Sequence, residues 1–178
     1  LYINSPGAVL PPSSFDDAMQ EISTWPGYSP TPLVDLKGLA QELEIASLHM
    51  KYEAPRFGLG SFKALGGAYA VSLFLRDIIK QETGKSVTTD NLMSGEFSTI
   101  TSALTVCSAT DGNHGRSVAW GAQMFGCKCT IFVPHHASQG RIDAIASYGA
   151  DVIVHDDNYD ETVRHCAKEA EENGWTVI

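Results

Sequence analysis

Two short stretches carry side chains able to do chemistry. The first is Arg56-Phe57-Gly58-Leu59-Gly60-Ser61-Phe62-Lys63-Ala64-Leu65-Gly66-Gly67-Ala68. Its glycines permit tight turning, and Ser61 is a good helix N-cap. Phe62, Leu65, Tyr69 and Leu73 recur at helical spacing and fall on one face, with Lys63 in the first turn. The unpaired backbone N–H groups of a first turn disfavour an ammonium. A neutral lysine amine is the nucleophile that Schiff-base chemistry with an aldehyde requires. The same residues also admit an ordinary lysine whose stem packs on a helix while its charge reaches water.

The second stretch is Ser108-Ala109-Thr110-Asp111-Gly112-Asn113-His114-Gly115. It follows a short apolar run and precedes a helical pattern. That is the carboxyl end of a parallel strand, where open α/β sheets place their ligands. Free amides at the helix start suit an anion. Asp111 can take up a proton and Asn113 can donate hydrogen bonds. Read alone, either could instead be a turn residue. His114 fits capping or packing as well as acid–base work. Arg116 fits a substrate carboxylate or a pairing with surface acids. His135 and His136 read as solvated, and Lys51 and Glu53 as charges at a sheet edge that could also approach the lysine turn. The loop is not G-x-G-x-x-G, no acid ends the next strand, and no Walker-type loop exists, which argues against dinucleotide and nucleoside triphosphate sites.

The elements that must position these residues divide the chain. Residues 1–30 are rich in Pro, Ser and Gly, with a short helix expected over Asp16–Ser23. Tyr28 to Leu33 reads as extended chain, since residues before proline avoid the helical region. Leu36, Leu39, Ala40 and Leu43 mark an amphipathic helix, and Ser47–Glu53 alternates like a strand. The Lys63 helix is expected to run to about Gln81. Residues 82–103 fit no period and read as a long surface connection with room for a short helix around Leu92. From Leu104 the pattern is regular. Strands are expected at Leu104–Ser108, Cys129–Val133 and Asp151–His155, with a fourth starting at Trp175–Ile178 and left unpaired. Helices are expected at Gly115–Phe125, from Ser138 as cap to Gly149 (Ile142, Ile145 and Ala146 inward), and at Asp160–Glu172. These are βαβ units, hence a parallel sheet with right-handed crossovers.

The bulk composition fits an α/β globular chain of 178 residues, 43% hydrophobic and 19% charged. With 12 basic against 21 acidic residues and a net charge of −9, it has no basic cluster, so nucleic acid and anionic membrane are not expected partners. No run of apolar residues is long enough to span a bilayer, and Leu1–Pro12 does not read as a signal peptide. Cys107, Cys127, Cys129 and Cys166 follow no metal-site spacing. They read as reduced thiols of a cytoplasmic protein, and no metal is expected.

The pair S-F-K-x-x-G-G-A and D-G-N-H-G, in that order and followed by βαβ units, resembles the fold-type II pyridoxal-phosphate enzymes, the group of serine and threonine dehydratases, threonine synthase and cysteine synthase. Within it the chain is most similar to the diaminopropionate ammonia-lyase family. Gly27–Leu33 takes the form G-Y-x-P-T-P-L, Arg56–Ala70 the form R-F-G-L-x-x-F-K-x-L-G-G-A-Y-A, and Thr110–Trp120 the form T-D-G-N-H-G-R-x-V-A-W. The similarity runs from about Gly27 to the last residue.

The resemblance implies a tryptophan synthase β-like architecture. Residues 1–103 would contribute to the large cofactor-binding domain, and 104–178 would form the small βαβ domain. It implies pyridoxal 5′-phosphate as cofactor, with Lys63 as the Schiff-base lysine and Asn113 as the donor to the cofactor's 3′ oxygen. Asp111 stands where the dehydratases usually carry serine and the ammonia-lyases carry Asp, and is expected to be catalytic beside Lys63. The implied reaction is α,β-elimination of 2,3-diaminopropionate to pyruvate and ammonia on both D and L isomers, by a carbon–nitrogen lyase that is a homodimer when full-length. The alternatives are a serine/threonine dehydratase, or a catalytically silent fragment that binds a small molecule. The family's glycine-rich phosphate loop is absent from these residues. The sequence therefore reads as the N-terminal portion of a longer chain, and the chain alone is expected to retain cofactor weakly.

Overall fold

A computed structural model of the protein describes residues 12–178, so the reading of Leu1–Pro12 falls outside it save for Pro12. Two compact units divide between Phe62 and Lys63. The sequence reading puts a boundary between 103 and 104. The compact units divide earlier because the lysine helix packs on the helix that follows the asparagine loop.

The first unit contains α1 (Pro12–Ile22), β1 (Leu33–Asp35), α2 (Lys37–Glu42) and β2 (His49–Lys51). β1 and β2 pair antiparallel, Leu33 opposite Lys51 and Asp35 opposite His49. Of the four residues expected on the inner face of α2, only Ala40 is buried, and Leu39 and Leu43 are exposed. The organising group here is Arg56, whose side chain is only 6% exposed. Its Nε and Nη2 donate to the two carboxylate oxygens of Glu53 at 2.9 and 3.0 Å. Its Nη1 donates to the Ser29 carbonyl at 3.0 Å, and its Nη2 also to Thr31 Oγ1 at 3.0 Å. The guanidinium lies 5.5 Å from the Tyr28 ring centroid. Thr31 also donates to Glu53, and Lys51 to the Thr31 carbonyl. Glu53 is therefore not a sheet-edge charge. It turns inward to neutralise a buried cation, since an unpaired one is costly, and the expected strand stops at Lys51. The following Phe57 has a left-handed backbone (φ 50°), its ring tilted against Trp25 and Tyr28.

In the second unit α3 spans Ala64–Thr83. Its first residue follows Lys63, which occupies the N-cap position in helical conformation and whose carbonyl accepts from the Gly66 and Gly67 amides. Ser61 is thus not the cap. The buried face is Ala64, Gly67, Ala68, Val71, Ser72, Leu75 and Ile79, whereas Phe62 and Leu73 are exposed. The helical period is as expected, but the phase is set by small residues. A Cβ on Gly67 would lie 1.9 Å from Ser117 Oγ, and one on Gly121 would lie 2.7 Å from Ala68 Cα. Only with both side chains absent can α3 lie this close to α6 (Asn113–Phe125). Residues 82–103 are more ordered than a surface connection. α4 (Thr89–Met93) carries a reciprocal capping box between Thr88 and Asn91, α5 spans Ser98–Thr101, and Val87, Thr89, Leu92 and Thr101 are buried.

The sheet holds β3 (Thr105–Ala109), β4 (Lys128–Pro134), β5 (Asp151–His155) and β6 (Thr176–Val177) in the order β5-β4-β3-β6. All pairings are parallel. The fourth strand is paired on one side, by β3, rather than left unpaired. α6 and α7 (Gln139–Ala146) touch each other, and α8 (Tyr159–Asn173) packs on β3 and β4. In α7 Ile145 is buried, but Ala146 is exposed. On β3 and β4, Cys107 and Phe132 form a dry cluster with Cys166 and Ala170 of α8. The winding runs β3, β4, β5 in one direction, then reverses to set β6 beside β3. The carboxyl ends of β3 and β6 therefore flank a topological switch point, where such sheets open a crevice.

Two stability predictions follow from these contacts. A Cβ on Gly66 meets nothing within 4 Å, so Gly66→Ala should gain up to about 1 kcal/mol of helix propensity. Gly121→Ala should lose about 1–3 kcal/mol by overpacking against the Ala68 backbone. Denaturant midpoints of the two variants should therefore move in opposite directions. In the first unit, the Arg56 hydrogen bonds foremost, reinforced by Thr31, hold the Glu53 carboxyl below its ordinary value of 4.5 against the opposing effect of burial. A depressed folded value gives stability that is complete above the unfolded value and lost as pH falls through the folded one. Glu53→Gln should thus cost about 3 kcal/mol at neutral pH and flatten the acid side of the pH–stability curve.

Candidate functional site

Lys63, the turn Ala109–His114, Arg141 and Tyr159 line one cavity of about 420 Å³. Three elements supply its groups. The start of α3 brings Lys63, the β3–α6 turn brings Asp111 and Asn113, and the first residues of α7 and α8 bring Arg141 and Tyr159. The expected site residues Lys63, Asp111 and Asn113 thus line the same cavity, although 48 residues separate Lys63 from Asp111 (111 − 63).

The turn is held by its backbone. Thr110 is buried, and its N–H donates to the Phe132 carbonyl of β4. Its Oγ1 accepts from the Gly112 and Gly115 amides at 3.0 and 3.3 Å. A hydroxyl two and five residues back thereby ties both the turn and the helix start. The Gly112 carbonyl accepts from the Arg116 amide. A Cβ on Gly115 would lie 2.3 Å from Thr110 Cγ2, so this glycine is a requirement of close packing. The local turn role open to Asp111 in the sequence is filled by Thr110. Among the described residues neither the Asp111 carboxylate nor the Asn113 amide makes a hydrogen bond, and both side chains remain available to a ligand. α6 begins two residues earlier than the helical pattern suggests and takes in Asn113 and His114.

His114 is a brace. Its Nε2 lies 3.0 Å from the Ile178 carbonyl, which also accepts from Ser108 Oγ at 2.8 Å. Because a carbonyl only accepts, Nε2 carries the hydrogen. The bond ties the loop to the chain just beyond β6, across the switch point. Arg116 does not line the cavity, and its guanidinium lies 5.8 Å from the Tyr148 ring centroid. His135 and His136 are exposed, as expected, with their rings edge to face. The four cysteines are thiols. Burial pushes Cys127 and Cys129 up to about 12, which makes both poor nucleophiles.

Sequence reasoning missed Arg141 and Tyr159. The signal was available in one form: both lie in the first turn of helices that follow strands of the same parallel sheet, so both fall at its carboxyl edge.

The parallel sheet, the lysine before α3 and the asparagine turn at the switch point define a class, and comparison with known families agrees. Residues 24–178 match the family model described as "Pyridoxal-phosphate dependent enzyme", and the chain belongs to that family. Its architecture is fold-type II. Among curated proteins it is 41% identical over 152 residues to diaminopropionate ammonia-lyase of Escherichia coli K12, covering 85% of this chain and 37% of that one. It is 39% identical over 153 residues to the diaminopropionate ammonia-lyase of Salmonella typhimurium LT2, covering 86% and 38%. The crystal structure of the selenomethionine-labelled holo E. coli diaminopropionate ammonia-lyase superposes with a TM-score of 0.83 at 38% identity, over 93% of this chain and 41% of that one. The chain therefore spans less than two-fifths of the length of these curated relatives.

Thr110 is the group on which the turn depends. Thr110→Val keeps the shape but leaves two amides without an acceptor, and should cost about 1–3 kcal/mol. Thr110→Ser, which retains the oxygen, should recover most of that loss in the same denaturation assay.

Proposed function

We propose that these residues belong to an ammonia-lyase, a pyridoxal-phosphate-dependent carbon–nitrogen lyase that converts 2,3-diaminopropionate to pyruvate and ammonia. The observation that carries this reading is the presence of an amine (Lys63), a carboxylate (Asp111) and an amide (Asn113) in one cavity. The set fits the cofactor: the Lys63 amine suits its aldehyde, and the Asn113 amide suits its ring oxygen. Identity near 40% to two diaminopropionate ammonia-lyases supports the substrate class.

The bound cofactor would supply an electron sink for the pair left at the substrate α-carbon. The remaining tasks fall to the chain. Asn113 and His114 line the cavity at the start of α6, and a helix start offers amides and a dipole that favour an anion such as the substrate carboxylate. Proton removal falls to Lys63 and Asp111. Enantiomers held by the same carboxylate and amine present their α-hydrogens to opposite faces, so a single base serves one isomer. Lys63 is assigned to the L isomer and Asp111 to the D isomer. Serine at position 111 would need a further base to act, which favours this reading over a dehydratase. The same reading makes residues 1–103 part of the large domain, 104–178 the small one, and the full protein a cytoplasmic homodimer. Cysteines that are all thiols support a reducing compartment.

Pyruvate formation from D- and L-diaminopropionate and from L-serine tests the proposal. Lys63→Ala should abolish turnover of both diaminopropionate isomers. Asp111→Asn should lower the D rate by roughly 10²–10⁴ and the L rate far less. Faster turnover of L-serine than of either diaminopropionate isomer would identify a dehydratase instead.

A further inference from the structure

The peptide joining Asp111 to Gly112 is fixed at both of its polar ends. Its N–H donates to Thr110 Oγ1 at 3.0 Å, and its carbonyl accepts from Arg141 Nη1 at 3.1 Å. The first bond is local. The second comes from 30 residues away, from the first turn of α7 in the next βαβ unit. The Arg141 stem also crosses the turn, since a Cβ on Gly112 would touch its Cδ at 3.7 Å. Glycine offers little resistance to rotation of the adjoining peptide, so an external donor of fixed direction has most to do here. A planar guanidinium is such a donor. A change of ψ at Asp111, which the two bonds to this peptide oppose, would swing the Asp111 Cα–Cβ bond, and with it the carboxylate, relative to Lys63 in the same cavity.

We propose that Arg141 is a positioning residue that aims the Asp111 carboxylate through the Asp111 backbone carbonyl, and so sets the balance between D and L substrates. The inference rests on the reading of Asp111 as base for the D isomer. Arg141 bonds the Asp111 backbone, and its exposure makes its removal compatible with folding.

The test uses the full-chain holoenzyme with Arg141→Met, Arg141→Lys, Asp111→Asn and the Arg141→Met/Asp111→Asn double variant. Each is assayed on both isomers, and amide exchange at Gly112 is followed in the apo protein. Arg141→Met should lower kcat on the D isomer about ten- to a hundredfold, the scale expected for a misplaced group. KM should be nearly unchanged, the L rate much less affected, and Gly112 exchange faster. Arg141→Lys, which keeps one donor on a long stem, should restore most of the D rate. In the Asp111→Asn background Arg141→Met should cost nothing further on the D isomer, because coupled residues are non-additive. Equal losses on the two isomers, unchanged Gly112 exchange, or additive losses in the double variant would overturn the proposal. Failure of the underlying reading is distinct: Asp111→Asn alone then lowers both isomers equally, while Gly112 exchange still rises in Arg141→Met. That result removes the base assignment and the isomer part of this proposal with it.

Discussion

The close approach of α3 and α6 is the constraint on which the site depends. Lys63 precedes one helix and Asp111–Asn113 lead into the other, so the separation of these groups is set by how the two helices pack. Gly67 against Ser117 and Gly121 against Ala68 leave no room for a Cβ. Any larger residue pushes the helices apart and moves the amine away from the carboxylate. Close-packed interiors transmit such displacements rather than absorb them. The two glycines of the lysine motif are accordingly unequal, since Gly67 meets a neighbour and Gly66 does not.

Each of the three sequence motifs turns out to be half of a contact. The Gly27–Leu33 segment supplies Tyr28, the Ser29 carbonyl and Thr31 to the guanidinium of Arg56, the first residue of the lysine motif. The end of that motif, Gly67 and Ala68, packs on Ser117 and Gly121. The start of the asparagine motif, Thr110, is pinned to Phe132 of the next strand. A proline-rich stretch that looks unremarkable alone is thus fixed by a buried ion pair, and a helix start by a hydroxyl. A buried arginine with both carboxylate oxygens engaged gives this contact directionality that an apolar patch would lack.

Much of this was legible in the sequence, and the exceptions have physical reasons. The βαβ register from Leu104 onward could be read because each strand is apolar and each helix has a clear period. The burial phase of α3 could not be read. Hydrophobicity favours Phe62 and Leu73 as inner residues, but the partner helix selects for small ones, and smallness is not what a hydrophobic pattern scores. Ser61 was misleading for a related reason: a good capping residue creates a helix start only if the chain turns there, and the turn comes at Lys63. Glu53 alternates correctly for a strand, and nothing local reveals that Arg56 will draw it inward. Arg141 and Tyr159 are ordinary helix-opening residues in sequence, and only the shared parallel sheet sets them on the cavity.

Rigidity of the backbone and freedom of the side chains are complementary in the 110–115 turn. Its peptide groups bond to Thr110, Phe132, Arg116 and Arg141, whereas the Asp111 and Asn113 side chains bond to none of the described residues. A turn built the opposite way, with Asp111 accepting local amides, would be as stable but would have spent its carboxylate on structure. Giving the structural role to Thr110 leaves the Asp111 carboxylate unbonded on a frame whose peptide groups are hydrogen-bonded. That division suits the base role proposed for Asp111, because general-base catalysis depends on reach before it depends on basicity. The brace from His114 to the Ile178 carbonyl extends the same logic across the switch point. It ties the loop to Ile178, the residue that follows β6.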